Sequence, residues 1–469
     1  MKLANNSSLT IRRLSTMIRR REISSLELTE FVLERIERVQ PVLNPFITIT
    51  AEAARKQARQ ADREIGKGNY RGPLHGIPIS LKDLFYTRDI RTTAGSRILR
   101  NFVPRENAVA AARLFEGGAV LVGKTNLHEF AYGATNINPH YGSVRNPWDP
   151  DRISGGSSGG SAVSVVCALA LASLGTDTGG SIRIPSAACG CVGLKPTYGR
   201  VPLKGVIPLA TTLDHVGPLC RCAEDAALLM DVIGDCLPGA ADAKSFSRRL
   251  SKGLEGLRAG VPKQFFFDRL QSPVRAGVLE AIETMRKSGV EIREVELNRM
   301  RDTAFLAGEI TTPEAIAYHG KWLEKRPGDY GEDVAGRMLA GRSQLAVTYV
   351  LAQQARQAYA EDFVRAMAPV DILLMPTIPV IAPRLDEKEV KIGRAAEDTR
   401  LALLRLTRPG NLTGLPAISV PCSFSPEGLP VGLQIMGKPW DEATVLRAAY
   451  GFEQQTDWHK RFPPEPCCR

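Results

Sequence analysis

The chain has 469 residues and no hydrophobic run long enough to cross a bilayer. Its longest apolar stretch, Ala162 to Leu174, is broken by Ser164 and Ser173 and falls short of the roughly 20 residues a membrane helix needs; it reads as a buried helix. Histidine is scarce, six in all, and none stands at ligand spacing to the cysteines. The nine cysteines include Cys189-Gly-Cys191 and Cys220-Arg-Cys222, each one residue short of the gap in a zinc knuckle or dithiol redox motif. No metal and no other cofactor is therefore expected. An odd cysteine count without a secretory signal points to inert thiols in a reducing, cytoplasmic compartment, with the tail pair Cys467-Cys468 unordered and without a role. Repeats, low-complexity linkers and charge blocks are lacking too. The net charge of +11 is spread along the chain, its only tight run being Arg19-Arg20-Arg21, and no basic stripe is interleaved with aromatics. That pattern suits a solvated surface better than a nucleic-acid face. The Arg-rich, acid-free first 21 residues resemble a transit peptide in composition, but Leu14, Met17 and Ile18 already show helical spacing with no cleavage-like boundary, so no targeting segment is expected.

What is present is ordinary globular composition, 43% hydrophobic and 24% charged, in a chain long enough for a large core. Ser24 with Glu27 forms a capping box, followed by Leu28, Phe31, Val32 and Ile36 on one helical face. Ile77 to Lys82 alternates at period two, which places Ser80 and Lys82 opposite the isoleucines on a strand. Ala119–Val122, Val290–Val295 and Ile372–Met375 are further strands. Ser272 as N-cap with Pro273 opens a helix that Gly289 closes. Ala417–Val420 and Val431–Met436 flank a tight turn at Ser425-Pro426-Glu427-Gly428. Helices alternate with strands throughout, which predicts an α/β fold, a single large domain with a mixed twisted central sheet covered by helices on both faces.

Two loops carry the chemistry: Gly155-Gly-Ser157-Ser158-Gly-Gly-Ser161 and Asp177-Thr178-Gly179-Gly180-Ser181. A phosphate cradle of the Walker type would need a lysine before its serine, and none is there. Gly-x-Ser-x-Gly is matched around Ser157 and Ser158, but a nucleophile elbow follows a buried strand, and Asn146 to Arg152 is loop-like. A third arrangement joins both loops to Lys82. A serine hydroxyl needs a base, a buried lysine can lose its proton at neutral pH, and a second serine between them would carry the proton. Gly179 and Gly180 let successive N–H groups aim at one point, as an oxyanion hole requires.

Around these residues the sequence resembles the amidase signature family. Gly-Ile-Pro-Ile-Ser-Leu-Lys82-Asp, Gly-Lys-Thr-Asn126, Arg-Asn-Pro-Trp148-Asp, the two loops, Gly-Leu-Lys195-Pro-Thr-Tyr-Gly-Arg200, Leu213-Asp-His-Val-Gly-Pro218 and Asn411-Leu-Thr-Gly-Leu-Pro416 match family blocks in family order, from about residue 9 to 460. The resemblance implies a Ser–cis-Ser–Lys triad of Ser181 as nucleophile, Ser157 as relay and Lys82 as base. The spacings, 157 − 82 = 75 and 181 − 157 = 24, agree with the family's. It further implies a cis Gly156–Ser157 bond and an oxyanion hole from the N–H groups of Thr178, Gly179, Gly180 and Ser181.

Among the neighbours, Ser158 and Ser161 read as backbone-bonded or capping residues, with Ser158 also a candidate for the substrate pocket beside Tyr132. Asp177 and Arg183 read as a structural ion pair, His128 as a supporting side chain, and Glu314 to His319 as a pocket-lining segment. The expected organisation is one amidase domain over residues 1–469, with a signature core at about 76–225, a variable pocket-shaping region at about 237–408 and C-terminal strands and helix at 409–460. The expected activity is that of a free-standing amidase hydrolysing a small-molecule carboxamide to a carboxylate and ammonia or an amine, without membrane or nucleic acid, a homodimer remaining open. The alternative is the glutaminase component of the tRNA-dependent amidotransferase, which passes ammonia to a partner. Three departures from that component's usual pattern favour the free-standing enzyme: Leu127-His128 after Lys-Thr-Asn, Asn136-Ile-Asn-Pro-His140, and Pro202-Leu-Lys-Gly205.

Overall fold

In the computed structural model, which describes residues 9–235 and 245–464, the strands are β1 (Phe46–Ile49), β2 (Pro78–Lys82), β3 (Val120–Thr125), β4 (Ala172–Asp177), β5 (Val192–Lys195), β6 (His215–Cys220), β7 (Arg258–Pro262), β8 (Glu291–Val295), β9 (Ile372–Pro376), β10 (Glu389–Ile392), β11 (Ala395–Asp398), β12 (Ala417–Phe424) and β13 (Pro430–Gly437). Eleven of them form one mixed sheet in the order β1-β3-β2-β4-β6-β5-β12-β13-β9-β7-β8, and β10 and β11 pair as a separate hairpin. Strands β2, β3, β4, β6, β9 and β13 are buried along their whole length. That pattern fits a sheet covered on both faces by helices. At one edge β8 exposes Glu291, Arg293 and Glu294, charges that discourage pairing with another chain.

The capping box stands as expected: Ser24 accepts from the Glu27 N–H at 3.0 Å, and Glu27 accepts from the Ser24 N–H at 2.7 Å. The helix it opens, Ser25–Leu43, ends on Asn44 in the left-handed region. The helix at 272 begins one residue earlier than expected, with Gln271 as cap and Ser272 already helical. A larger difference lies at Ala162–Leu174. The buried helix is Gly159–Val166; a turn with Ala168 at φ 51° follows, and Ala172 starts β4. An apolar run buried on every side carries no period, so helix and strand cannot be separated within it. Likewise β5 and β6 are legible only with their neighbours in place.

The parallel pairs β2–β3 and β2–β4 matter most. Ser80 lies beside Ser173 and Leu81 beside Leu174, so Lys82 ends β2 next to the carboxyl end of β4. Loops leaving the carboxyl ends of adjacent parallel strands form the crevice where α/β sheets place their ligands. No helix among the described residues is long and apolar enough to cross a membrane. The described cysteines, including the 189/191 and 220/222 pairs, are buried thiols, and burial pushes Cys191 up to about 12. Cys467 and Cys468 lie outside the described residues, as does the Leu237 boundary.

Candidate active site

Lys82 leaves the end of β2 with no exposed surface. Its Nζ lies 2.7 Å from Ser157 Oγ and 2.9 Å from Thr176 Oγ1 on β4. Burial lowers its pKa from 10.5 to about 7, against the opposing pull of the Asp177 and Asp214 carboxylates. Near neutrality about half the amine is unprotonated. The sequence reading missed Thr176, which is the second polar contact of that amine.

Ser157 is also fully buried, and the Gly156–Ser157 peptide is cis. Its loop is pinned from several sides. Gly156 N–H donates to the Ala134 carbonyl at 2.7 Å, Gly159 N–H to Asn136 Oδ1 at 2.9 Å, and His128 N–H to the Ser157 carbonyl at 3.2 Å. The Ser158 N–H reaches the Ser181 carbonyl at 3.2 Å and so ties the two loops together. Ser158 Oγ itself donates to the Thr176 carbonyl at 3.2 Å and does not line the cavity, which corrects its placement in a substrate pocket. Ser161 is held by Thr125 Oγ1 at 2.9 Å.

The second loop leaves β4 at Asp177. Its carboxylate accepts from Gly180 N–H at 2.8 Å and Ile182 N–H at 3.1 Å, and pairs with Arg183 at 3.0 Å, all without solvent exposure. Burial alone would raise this carboxyl, but the Arg183 guanidinium holds it well below the usual range. Arg183 also donates to Gln434 and Asn411, at 2.7 and 2.8 Å, and Asn411 returns a bond to the Asp177 carbonyl. Asp177 and Arg183 therefore anchor the loop, as the sequence reading has it. The Gly180 N–H, counted there among the oxyanion donors, is already engaged by Asp177. The N–H groups of Thr178, Gly179 and Ser181 find no acceptor among the described residues. Thr178 uses its hydroxyl on Asp214 at 2.5 Å, and burial raises Asp214 to about 6.

On the other side of the loop, Thr407 Oγ1 donates to the Gly179 carbonyl at 2.6 Å. Gly180 has φ +133°, and a Cβ there would sit 2.1 Å from Thr407 Oγ1, so only glycine fits.

Ser181, Thr178 and Gly179 open onto a cavity of about 70 Å³, whereas Lys82 and Ser157 are not part of its lining. Of Lys82, Ser157 and Ser181, only Ser181 lines the cavity. Tyr132 lines the opposite wall, its hydroxyl 3.0 Å from Thr312 Oγ1, with Arg337 stacked on its ring at 4.9 Å. Ala307, Gly308 and Thr311 from the helix Thr303–Lys325 complete that wall. The expected lining segment, Glu314 to His319, is on this helix but begins two residues beyond Thr312. Glu314 binds Thr212 and Tyr349 instead, at 2.6 and 2.9 Å. Arg400, Leu404 and Arg408 form the third side. His128 is 2.9 Å from Asp333, away from the cavity, and no histidine lines the cavity among the described residues.

A family model, Amidase, matches residues 27–446. The chain belongs to the amidase family. Its mixed sheet between helices matches solved amidase signature enzymes. It is 42% identical to the A subunit of glutamyl-tRNA(Gln) amidotransferase from Geobacter sp. (strain M21), over 97% of this chain and 99% of that one. A chain of an inhibitor-bound vestigial protein complex, described as revealing the evolutionary origins of an s-triazine catabolic enzyme, is similar at 34% identity with a TM-score of 0.90, covering 95% of this chain and 98% of that one. The A subunit of glutamyl-tRNA(Gln) amidotransferase from Thermotoga maritima is similar at 31% identity with a TM-score of 0.80, covering 98% of each. This amidase is therefore similar along nearly its whole length to one component of a tRNA amidotransferase, a finding that favours the alternative of the sequence reading over its leading one.

Proposed function

We propose that the chain hydrolyses a carboxamide through Ser181, Ser157 and Lys82. The observation that carries this reading is the 2.7 Å contact between a desolvated lysine and the buried serine at the cis peptide, behind the serine that faces the cavity. Neutral Lys82 takes the proton of Ser157 while Ser157 takes that of Ser181, and Ser181 Oγ bonds to the amide carbon. The N–H groups of Thr178, Gly179 and Ser181 receive the oxyanion. As the C–N bond breaks, the proton returns along the relay to the departing nitrogen. Water, deprotonated by the same relay, then attacks the acyl-serine and releases the acid. Residues from about 237 to 408 shape the pocket, supported by the lining side chains of the helix at 303–325 and by Arg400.

Two assignments share this chemistry. Full-length similarity to a glutamyl-tRNA(Gln) amidotransferase component supports glutamine hydrolysis within a larger complex. Hydrolysis of an amide other than glutamine is supported by the lining of the cavity, which among the described residues contains no acid to meet the ammonium group of glutamine. The deciding experiment incubates the purified chain with aliphatic, aryl and peptide amides and with glutamine, alone and with the other amidotransferase components and tRNA. Turnover of a simple amide, lost in Ser181→Ala and Lys82→Ala, is the expected result. Glutaminase activity appearing only in the assembled complex would assign the chain to the amidotransferase.

A further inference from the structure

Two guanidinium groups on the cavity wall have no counter-ion among the described residues. Arg400 and Arg408 both line the cavity that holds Ser181. Neither makes an ion pair or a side-chain hydrogen bond with any described residue, and Arg400 Nε is a buried donor without an acceptor. Burial lowers both, Arg408 to about 10, and a neighbouring arginine lowers each further, Arg400 by Arg337 and Arg408 by Arg400, while Tyr132 acts on both and Asp398 and Asp333 on Arg400 in the opposite sense. The two acids whose charge reaches Arg400 are engaged elsewhere: Asp333 binds His128 and Arg337 at 2.9 and 2.8 Å, and Asp398 caps the Leu401 N–H at 2.8 Å. Glu397 lines a separate pocket with Arg408, where its Oε1 meets Arg405 at 3.2 Å and its Oε2 has no hydrogen-bond partner. Desolvated charge without a partner is costly to a fold, and a ligand of opposite charge removes the cost.

Resting on the amide-hydrolysis reading, we propose that Arg400 and Arg408 bind a carboxylate of the substrate, so that the scissile amide belongs to a short amido acid without an ammonium group. The fork of each guanidinium suits a planar carboxylate. Reach sets the length. Arg408 Cγ is 3.7 Å from the place a Cβ on Gly179 would occupy, so its stem packs on the Gly179 loop beside Ser181, and a short chain suffices to join a carboxylate at this wall to an amide at Ser181. An ammonium beside that carboxylate would face three arginines, counting Arg337, and no free acid.

The test uses glutaramate, which is glutamine without its amino group, against its methyl ester, pentanamide and glutamine. Wild type is expected to favour glutaramate over the ester and pentanamide by at least about 100-fold in kcat/KM, and to reject glutamine. In Arg400→Met and Arg408→Met that ratio collapses, whatever loss all substrates share, while the melting temperature holds or rises because an unpaired charge has been removed. Wild type handling acid and ester alike, glutamine matching glutaramate, or a ratio unmoved by both variants would overturn the proposal. Should none of these amides turn over, the hydrolysis reading fails by itself. Calorimetry with glutarate then decides the anion site: binding lost in both variants supports it, and no binding to wild type refutes it.

Discussion

Replacing Lys82 by methionine should abolish activity and yet stabilise the protein near neutral pH. In the folded chain this amine has a pKa of about 7, against 10.5 in water, because it is wholly buried. The difference, 10.5 − 7 = 3.5, corresponds to about 5 kcal/mol of penalty on the charged form. Below pH 7 the lysine is protonated in both states, and the folded state carries the whole penalty. Between 7 and 10.5 the folded amine is already neutral while the unfolded one keeps its proton, so the penalty shrinks by about 1.4 kcal/mol per pH unit. Methionine fills a similar volume without charge. It leaves the Ser157 and Thr176 hydroxyls without their partner, at about 1–2 kcal/mol each. The variant should therefore gain about 1–3 kcal/mol near pH 7, lose that advantage by about pH 8–9 and be the less stable protein at about pH 10. The assay is denaturant unfolding of both proteins from about pH 6 to about pH 10, with slow-scan melting as a check on reversibility. A variant less stable than wild type at every pH, or a difference that does not move with pH, would refute the desolvated-amine reasoning.

With Lys82 as the proposed base, the same pKa should govern the rate. Because the base acts unprotonated, kcat/KM should rise as pH increases through about 7 and level off above it; a profile flat across that range in a folded enzyme counts against Lys82. Gly180→Ala places a methyl group 2.1 Å from Thr407 Oγ1 at a φ of +133°, so kcat should fall by at least about 100-fold with a lowered melting temperature. Unchanged kinetics would show that the loop has room to move. Arg183→Met strands the buried Asp177 carboxylate and should cost about 3–5 kcal/mol in unfolding experiments. The double variant Arg183→Met/Asp177→Asn should recover part of that loss.

Much of the candidate site's arrangement was legible in the sequence because it is local. Lys82 ends an alternating strand, and Ser157 and Ser181 follow glycine pairs whose backbone conformations few other residues adopt. The two loops bracket one buried segment, so their proximity follows from chain connectivity once β4 is recognised inside it. What escaped was everything held by distant partners. Thr176 looks like any strand threonine until β2 lies beside β4. Asp214, Asn411 and Gln434 satisfy Asp177, Arg183 and Thr178 only because the sheet order brings β6 and β13 to them, and no period in the sequence encodes that order. Ser158 is backbone-bonded, as its leading reading has it, and only its candidacy for the pocket fails, because its hydroxyl is turned toward the Thr176 carbonyl. Arg400 and Arg408 gave no signal because an exposed and an unpaired arginine look alike in sequence.

The cavity has two kinds of wall, and they come from separate stretches of the chain. Ser181 and the Lys82, Thr176 and Ser157 side chains behind it belong to one hundred-residue span on and beside neighbouring parallel strands, while most of the facing surface, Tyr132 apart, is supplied by residues 307–312 and 400–408. The Thr407 hydroxyl on the Gly179 carbonyl joins that facing surface directly to the loop backbone. Substitution in the second group can redirect the enzyme to a new amide while the first stays intact. Divergence in such a lineage should run fast on one side of the crevice and slowly on the other, so that bond-breaking chemistry is inherited long after the choice of substrate has drifted.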